Sequence, residues 1–331
     1  VAIADALVWD PLFDGYGRRH DYLRVSLTDR CNFRCVYCMP DEEVEWKHQS
    51  EILSLEEIER LVRIFVRLGV RKLRLTGGEP TVRRGYIDLI ETVSPLVSTY
   101  LTTNGTTLRI HADRMRKAGL VGVNISIDSL IPERFLQITQ RDALHLVLDG
   151  IGAAVEAGLA TKLNVVVMRH LNADELCDFV EFVRTRPVQV RFIEFMPFLG
   201  NQWSVDDVFS FQEMKEQIQS KYDLIPRTRL TSDVATEFTI DGFSGTVGFV
   251  TSVTESFCEG CNRLRLTADG RFKTCLFTPP QSGLRDMLRS GASDEDLAIA
   301  IRTDLSGKWK GHPSMKSWQQ RDTLTMVQIG G

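Results

Sequence analysis

Between residues 20 and 196 the chain repeats one unit: a short β-like run, a loop and a helix-like run. No other feature limits the fold as much. Six strands read at 22–27, 71–76, 99–103, 121–127, 160–168 and 188–195. The first helix is marked by Ser54 with Glu57 three residues on, a capping box. Leu55, Ile58, Leu61, Val62, Phe65 and Leu68 follow at the spacing of one helical face. Gly69 ends it, and Gly119 and Gly158 repeat that end signal before later strands. Strands alternating with helices predict parallel pairing through right-handed crossovers.

Parity within the strands says more. Arg24, Ser26 and Thr28 oppose Leu23, Val25 and Leu27, while Lys72, Arg74 and Thr76 oppose Leu73 and Leu75. Asn124, Ser126 and Asp128 oppose Val123, Ile125 and Ile127; Lys162 and Asn164 oppose Leu163 and Val165. In the sixth strand Glu194 and Met196 share a parity. A parallel strand buried on both faces reads as continuous hydrophobics, and these do not. The pattern predicts an α/β fold, an incomplete six-unit barrel with a polar lumen; a flat sheet wet on one face is the plainer alternative.

After residue 203 the character changes. A helix is expected from an N-cap at Ser204, then β-like runs at 236–240, 246–250, 263–267 and 271–276. Asp-Gly pairs at 241–242 and 269–270 suggest hairpins, and two shorter helices follow near 283–290 and 293–305. The expected division is a barrel over 1–203 and a smaller α+β region over 204–331 that closes its open side.

Six of the seven cysteines fall into two groups, Cys31, Cys35 and Cys38, and Cys258, Cys261 and Cys275. Clustered thiols in a long chain suit metal binding in a reducing compartment better than disulfides. A structural zinc site closes on four ligands. A four-iron cluster needs one ligand per iron, so three thiols leave one iron open. Zinc completed by a distant ligand stays open as an alternative for both groups. Cys177 sits in a helical apolar pattern and reads as a core thiol.

Cys-x3-Cys-x2-Cys with Tyr37 before the last thiol, followed by Gly77-Gly78-Glu79-Pro80 after the second strand, resembles the radical SAM superfamily. Together with "CNRLRL" in the rear thiol group and a Gly-Gly end, it resembles the GTP 3′,8-cyclase family of molybdenum-cofactor biosynthesis across nearly the whole chain. The resemblance implies two [4Fe–4S] clusters and S-adenosylmethionine as cofactors. It carries S-adenosylmethionine contacts to Tyr37, Gly78, Glu79, Ser126 and Met196. GTP contacts fall on Arg24, Arg74, Thr102, Lys162, Arg263, Leu264 and Arg265, and Gly330 with Gly331 form a tail reaching the active site. It further implies an external electron donor, a downstream cyclic pyranopterin monophosphate synthase and room for a homodimer. The compartment would be the cytoplasm, or the mitochondrial matrix in a eukaryote.

A net charge of −4 argues against a nucleic-acid-binding surface. No apolar run approaches the ~18 residues of a membrane span. Residues 1–14 carry acids and no basic start, so they do not read as a secretory signal. The rival readings are another two-cluster radical SAM enzyme, such as a peptide-modifying maturase, and a zinc-stabilised nucleotide-binding protein.

Overall fold

The computed structural model describes residues 9–39, 46–228, 232–312 and 324–330; most of the opening stretch and Gly331 lie outside them. Strands β1 (Tyr22–Ser26), β2 (Lys72–Thr76), β3 (Ser98–Thr103), β4 (Gly122–Ser126), β5 (Ala160–Val167) and β6 (Gln189–Glu194) lie side by side and all parallel. Helices α1 (Leu55–Arg67), α2 (Tyr86–Val93), α3 (Leu108–Lys117), α4 (Pro132–Thr139), α5 (Leu144–Glu156) and α6 (Leu176–Phe182) occupy the connections. Ser54 and Glu57 make the expected reciprocal cap on α1. Gly69, Gly119 and Gly158 all take positive φ, the left-handed ending that a Cβ would strain.

The apolar parity faces the helices. Leu23, Val25, Leu27, Leu73 and Leu75 have no exposed surface, and each such burial contributes about 1.5–3 kcal/mol. The opposite parity carries the charged residues.

The rear region does not form a sheet of its own. After α7 (Phe211–Gln219) come β7 (Ile225–Pro226), β8 (Thr236–Thr239), β9 (Thr246–Val250), β10 (Arg263–Leu266) and β11 (Phe272–Lys273). β9 adds in parallel to β6 at one edge, and β10 adds in parallel to β1 at the other. The antiparallel strands β7–β8 and β11 complete the eleven-stranded order β11-β10-β1-β2-β3-β4-β5-β6-β9-β8-β7. Helices α8 (Leu284–Arg289), α9 (Asp294–Ser306) and α10 (Met326–Ile329) follow. The sheet is not closed by hydrogen bonds among the described residues, so this is an incomplete barrel.

Two local expectations are corrected. Ser204 caps only a single 3₁₀ turn, Val205–Asp207; Val208 then bridges to Met168, and α7 starts after Ser210. Ser210 owns the stronger signal, a capping box completed by Glu213. In β6, Glu194 belongs to the core parity with Val190 and Phe192 and is fully buried. It accepts from the Phe211, Val253 and Thr254 N–H groups, which repays its burial. The lumen residue of β6 is Arg191.

Candidate active site

At the mouth of the sheet, the loop after β1 carries the front thiols. Two backbone bonds pin it to the end of α4: Arg34 N–H to the Thr139 carbonyl at 3.0 Å, and Val36 N–H to the Ile138 carbonyl at 3.0 Å. Gln140, at φ 54°, turns the chain away just past α4. Cys38 N–H donates to the Cys35 carbonyl at 3.0 Å, and Phe33 N–H to Cys31 Sγ at 3.4 Å. Burial pushes the Cys31 thiol up to about 11, and burial together with the neighbouring thiols and Asp128 lifts Cys35 and Cys38 too. Metal-free, these three thiols stay protonated at neutral pH. Iron bonding would supply the positive charge that the site lacks.

Gly77 and Gly78 bring the loop after β2 against this one. A Cβ on Gly78 would sit 2.4 Å from the Arg30 carbonyl oxygen, and one on Gly77 2.7 Å from that of Thr28. Their first use is therefore the approach of two protein loops, clasped by Gly78 N–H to Thr28 and Glu79 N–H to Arg30. The buried Glu79 carboxylate is taken by Thr81 N–H and hydroxyl, Thr103 hydroxyl and Asn104 N–H. Tyr37 donates its hydroxyl to Asp128 at 2.9 Å, and Asp128 also accepts from Val166 N–H at 2.8 Å. Ser126 ends β4 beside them.

Below the mouth the lumen is a bed of cations. Arg265, Arg24 and Arg74 stand in register on β10, β1 and β2. Adjacent strands are about 4.8 Å apart, and like charges opposite each other repel. Arg74 Nε donates to Tyr22 Oη at 2.6 Å, and its Nη1 to the Leu101 carbonyl at 3.1 Å and Thr102 Oγ1 at 3.4 Å. Arg191 holds Asn164 Oδ1, and Lys162 lies 3.7 Å from Glu237. Burial and a neighbouring guanidinium, Arg74 for the first and Arg263 for the second, push Arg191 and Arg265 down to about 10. Guanidinium groups remain charged, so the bed stores an electrostatic cost that a polyanion relieves.

The rear thiols border the same bed, since Arg263 follows Cys261 by two residues at the start of β10. Arg263 reaches over Phe257 at 4.7 Å. Leu264, between the two arginines, turns its side chain into the core. Buried Lys308 donates to Cys261 Sγ at 3.5 Å and to the Arg263 carbonyl at 3.1 Å. Burial alone would raise Cys261, but Arg263 and Lys308 outweigh it and hold the thiol at about 6. Arg18 clamps the loop: it donates to the carbonyls of Cys258 at 2.7 Å and Trp309 at 2.6 Å, steadied by Asp14 at 2.6 Å. This thiol group fits an iron–sulfur centre as well.

Cys275 packs with Met196, Phe198, Phe277 and Ile329, which joins the end of β6, a rear thiol and the C-terminal helix. Gly330, at φ 90°, lies so close that a Cβ would meet Ser26 Cβ at 2.5 Å and Thr76 Oγ1 at 3.2 Å. The structure thus brings Gly330 to the front strands; Gly331 lies outside the described residues. No three His, Cys, Asp or Glu side chains among the described residues converge on a single-ion site. A cluster bound through one iron per thiolate takes its sulfurs spread around it.

Residues 25–183 match the Radical SAM superfamily, and residues 188–314 match the Molybdenum Cofactor Synthesis C family. The mitochondrial GTP 3′,8-cyclase of Arabidopsis thaliana is 46% identical, over 99% of this chain and 86% of that one. The chain belongs to the GTP 3′,8-cyclase family. The Syntrophomonas wolfei GTP 3′,8-cyclase is 40% identical over 97% of this chain and 100% of its own. Against Drosophila melanogaster molybdenum cofactor biosynthesis protein 1 the identity is 47%, over 91% of this chain but 54% of the fly protein. The chain thus spans about half the length of such animal relatives. Streptococcus suis SuiB bound to its precursor peptide SuiA shares the fold at 14% identity and TM-score 0.61, over 95% of this chain and 72% of SuiB. Membership of the radical SAM superfamily brings S-adenosylmethionine and an iron–sulfur cluster. No helix among the described residues is long and apolar enough to cross a membrane.

The cationic bed and the rear thiol loop include neighbours that sequence reasoning passed over: Tyr22, Arg191, Arg18 and Lys308. Arg191 was open to discovery, because it alternates correctly with Gln189 and Ile193. Lys308 carried no signal, being 47 residues from the thiol it touches.

Proposed function

We propose that the chain converts GTP to (8S)-3′,8-cyclo-7,8-dihydroguanosine 5′-triphosphate, the first step of molybdopterin synthesis. The observation that carries this reading is the in-register row of Arg265, Arg24 and Arg74 on strands whose adjoining loops carry the two thiol triplets. Three adjacent buried cations are costly unless a polyanion joins them. Arg24, Arg74, Lys162, Arg263 and Arg265 receive the triphosphate, with Arg191 as a further donor and Thr102 fixing Arg74. The backbone at Leu264 lies within this bed.

Cys31, Cys35 and Cys38 would hold the front cluster, and Cys258, Cys261 and Cys275 a second one that would supply an iron with no protein ligand for the nucleotide base. Tyr37, Gly78, Glu79, Ser126 and Met196 line the S-adenosylmethionine site. Bound there, S-adenosylmethionine supplies on reductive cleavage the 5′-deoxyadenosyl radical that takes the C3′ hydrogen before C3′ joins C8. The chain's residues orient the ribose toward the front loop, and the Met196–Phe198–Phe277–Ile329 group excludes water. Gly330 and Gly331 close the mouth. Functionally the chain divides into residues 1–203 for radical generation and 204–331 for the second cluster and tail. An external one-electron donor feeds the reaction, and a cyclic pyranopterin monophosphate synthase takes its product.

The test is anaerobic reconstitution followed by GTP, S-adenosylmethionine and a reductant. 5′-Deoxyadenosine and cyclised GTP should form together. Deoxyadenosine without loss of GTP would overturn the substrate, and a colourless protein binding zinc alone would overturn the chemistry.

A further inference from the structure

One group in the cationic bed has the opposite character. Tyr22 lies in register between Arg263 on β10 and Lys72 on β2, one row from Arg265, Arg24 and Arg74. Its hydroxyl oxygen is 2.6 Å from Arg74 Nε, and Lys72 Nζ sits 4.9 Å from its ring centroid. Arg24 flanks it on its own strand, and Arg191 on β6 and Tyr100 on β3 complete the surroundings. Of the acids nearby, Asp21 accepts from Asn262 at 2.7 Å, Asp233 acts on Lys72, and Glu237 acts on Arg191 and lies 3.7 Å from Lys162.

We propose that Tyr22 is a positioning residue of the polyphosphate site, holding Arg74 while the site is empty and taking up a proton when the polyphosphate enters. The inference rests on GTP being the ligand of this bed. Burial alone would raise the Tyr22 phenol, but Arg74, Arg24 and Lys72 outweigh it and hold it at about 7. In the empty site the phenolate is thus a counter-charge for cations that otherwise only repel one another. An arriving phosphate oxygen takes over the Arg74 N–H and brings negative charge beside the phenolate. The phenol's affinity for protons rises, and one proton moves from solvent to Tyr22 Oη; no other bond changes.

The sign follows directly. Below about pH 7 the phenol is already neutral and binding takes up no proton at this group. Above it, GTP affinity carries an additional loss of up to about tenfold per pH unit, the limit for one proton.

Calorimetric titration of GTP into the reconstituted protein, in buffers of different ionisation enthalpy, tests this against Tyr22→Phe. Subtracting the variant cancels the nucleotide's own protons. At about pH 8 the unmodified protein should take up close to one proton more per GTP than the variant, and its affinity should fall more steeply with pH. Arg74→Gln, which leaves the tyrosine in place, should also diminish the uptake, so a misfolded Tyr22→Phe would still leave a decisive comparison. GTP binding with equal uptake in all three proteins overturns the inference alone. Failure of the unmodified protein to bind GTP overturns the substrate reading and this inference with it.

Discussion

The two thiol triplets have the same number of ligands and opposite surroundings. The front one lies among apolar side chains and acids: burial raises its thiols most, and Glu79 and Asp128 raise them further. The rear one is bordered by Arg263, Lys308 and Lys273, whose buried ammonium donates to the Thr278 carbonyl. There one thiol is already held near pH 6. Beyond Arg34, which donates to the Cys31 carbonyl, the front site therefore depends on its cluster for positive charge. The rear site shares its cations with the bed proposed to receive the substrate. A cluster placed in the rear would be coupled electrostatically to an anion in the lumen through those cations, whereas the charged groups acting on the front thiols are Glu79, Asp128 and Arg34.

The sharpest way to break this comparison is to remove one thiol from each group. Cys35→Ala should abolish deoxyadenosine formation, and Cys261→Ala should spare uncoupled cleavage while abolishing GTP cyclisation; each should retain about half the iron. Equal loss of both activities in both variants would show that the sites are not separable. Next in size is the cation bed. Arg74→Ala removes charge-assisted bonds worth about 1.5–3 kcal/mol each, so KM for GTP should rise about 10- to 100-fold with the front cluster's spectrum unchanged. A normal KM would remove Arg74 from the substrate site.

Smaller in effect is Lys308→Met. A partner outside the ligand set typically matters by about 10- to 100-fold in metal affinity, and the loss should appear only at the rear centre. Lys308→Arg should recover most of it. The mildest test needs no cluster. In metal-free protein at neutral pH, iodoacetamide should label Cys261 well before Cys31, because the first is mostly thiolate above about pH 6 and the second mostly thiol until about 11. Labelling in the reverse order would contradict the assigned electrostatics.

Much of the frame was legible in residue order. Strand parity located Arg24, Arg74 and Lys162 on the lumen face, because a buried sheet face and a ligand-lined face demand different side chains. Thiol spacing marked both candidate metal sites, since thiols on one loop, or on a loop and the hairpin that follows it, lie close in the chain. What stayed hidden depends on contacts between distant segments. The parallel addition of β10 to β1 joins residues about 240 apart in the chain, and it alone aligns Arg265 with Arg24. Glu194 misled because an acid at a strand end looks like a lumen residue; in the fold it is buried as an acceptor for the α7 N-terminus and for Val253 and Thr254. The resemblance carried a cofactor contact to Gly78, whereas the tightest contacts of the Gly77-Gly78 turn are with the cysteine loop itself.

The central claim, that the rear centre and the substrate share one electrostatic site, is tested most directly by anaerobic electron paramagnetic resonance of the reduced, reconstituted protein with and without GTP. The account predicts that GTP alters the signal that Cys261→Ala removes and leaves unchanged the signal that Cys35→Ala removes. A GTP response confined to the front signal, or absent from both while GTP is bound, would contradict it.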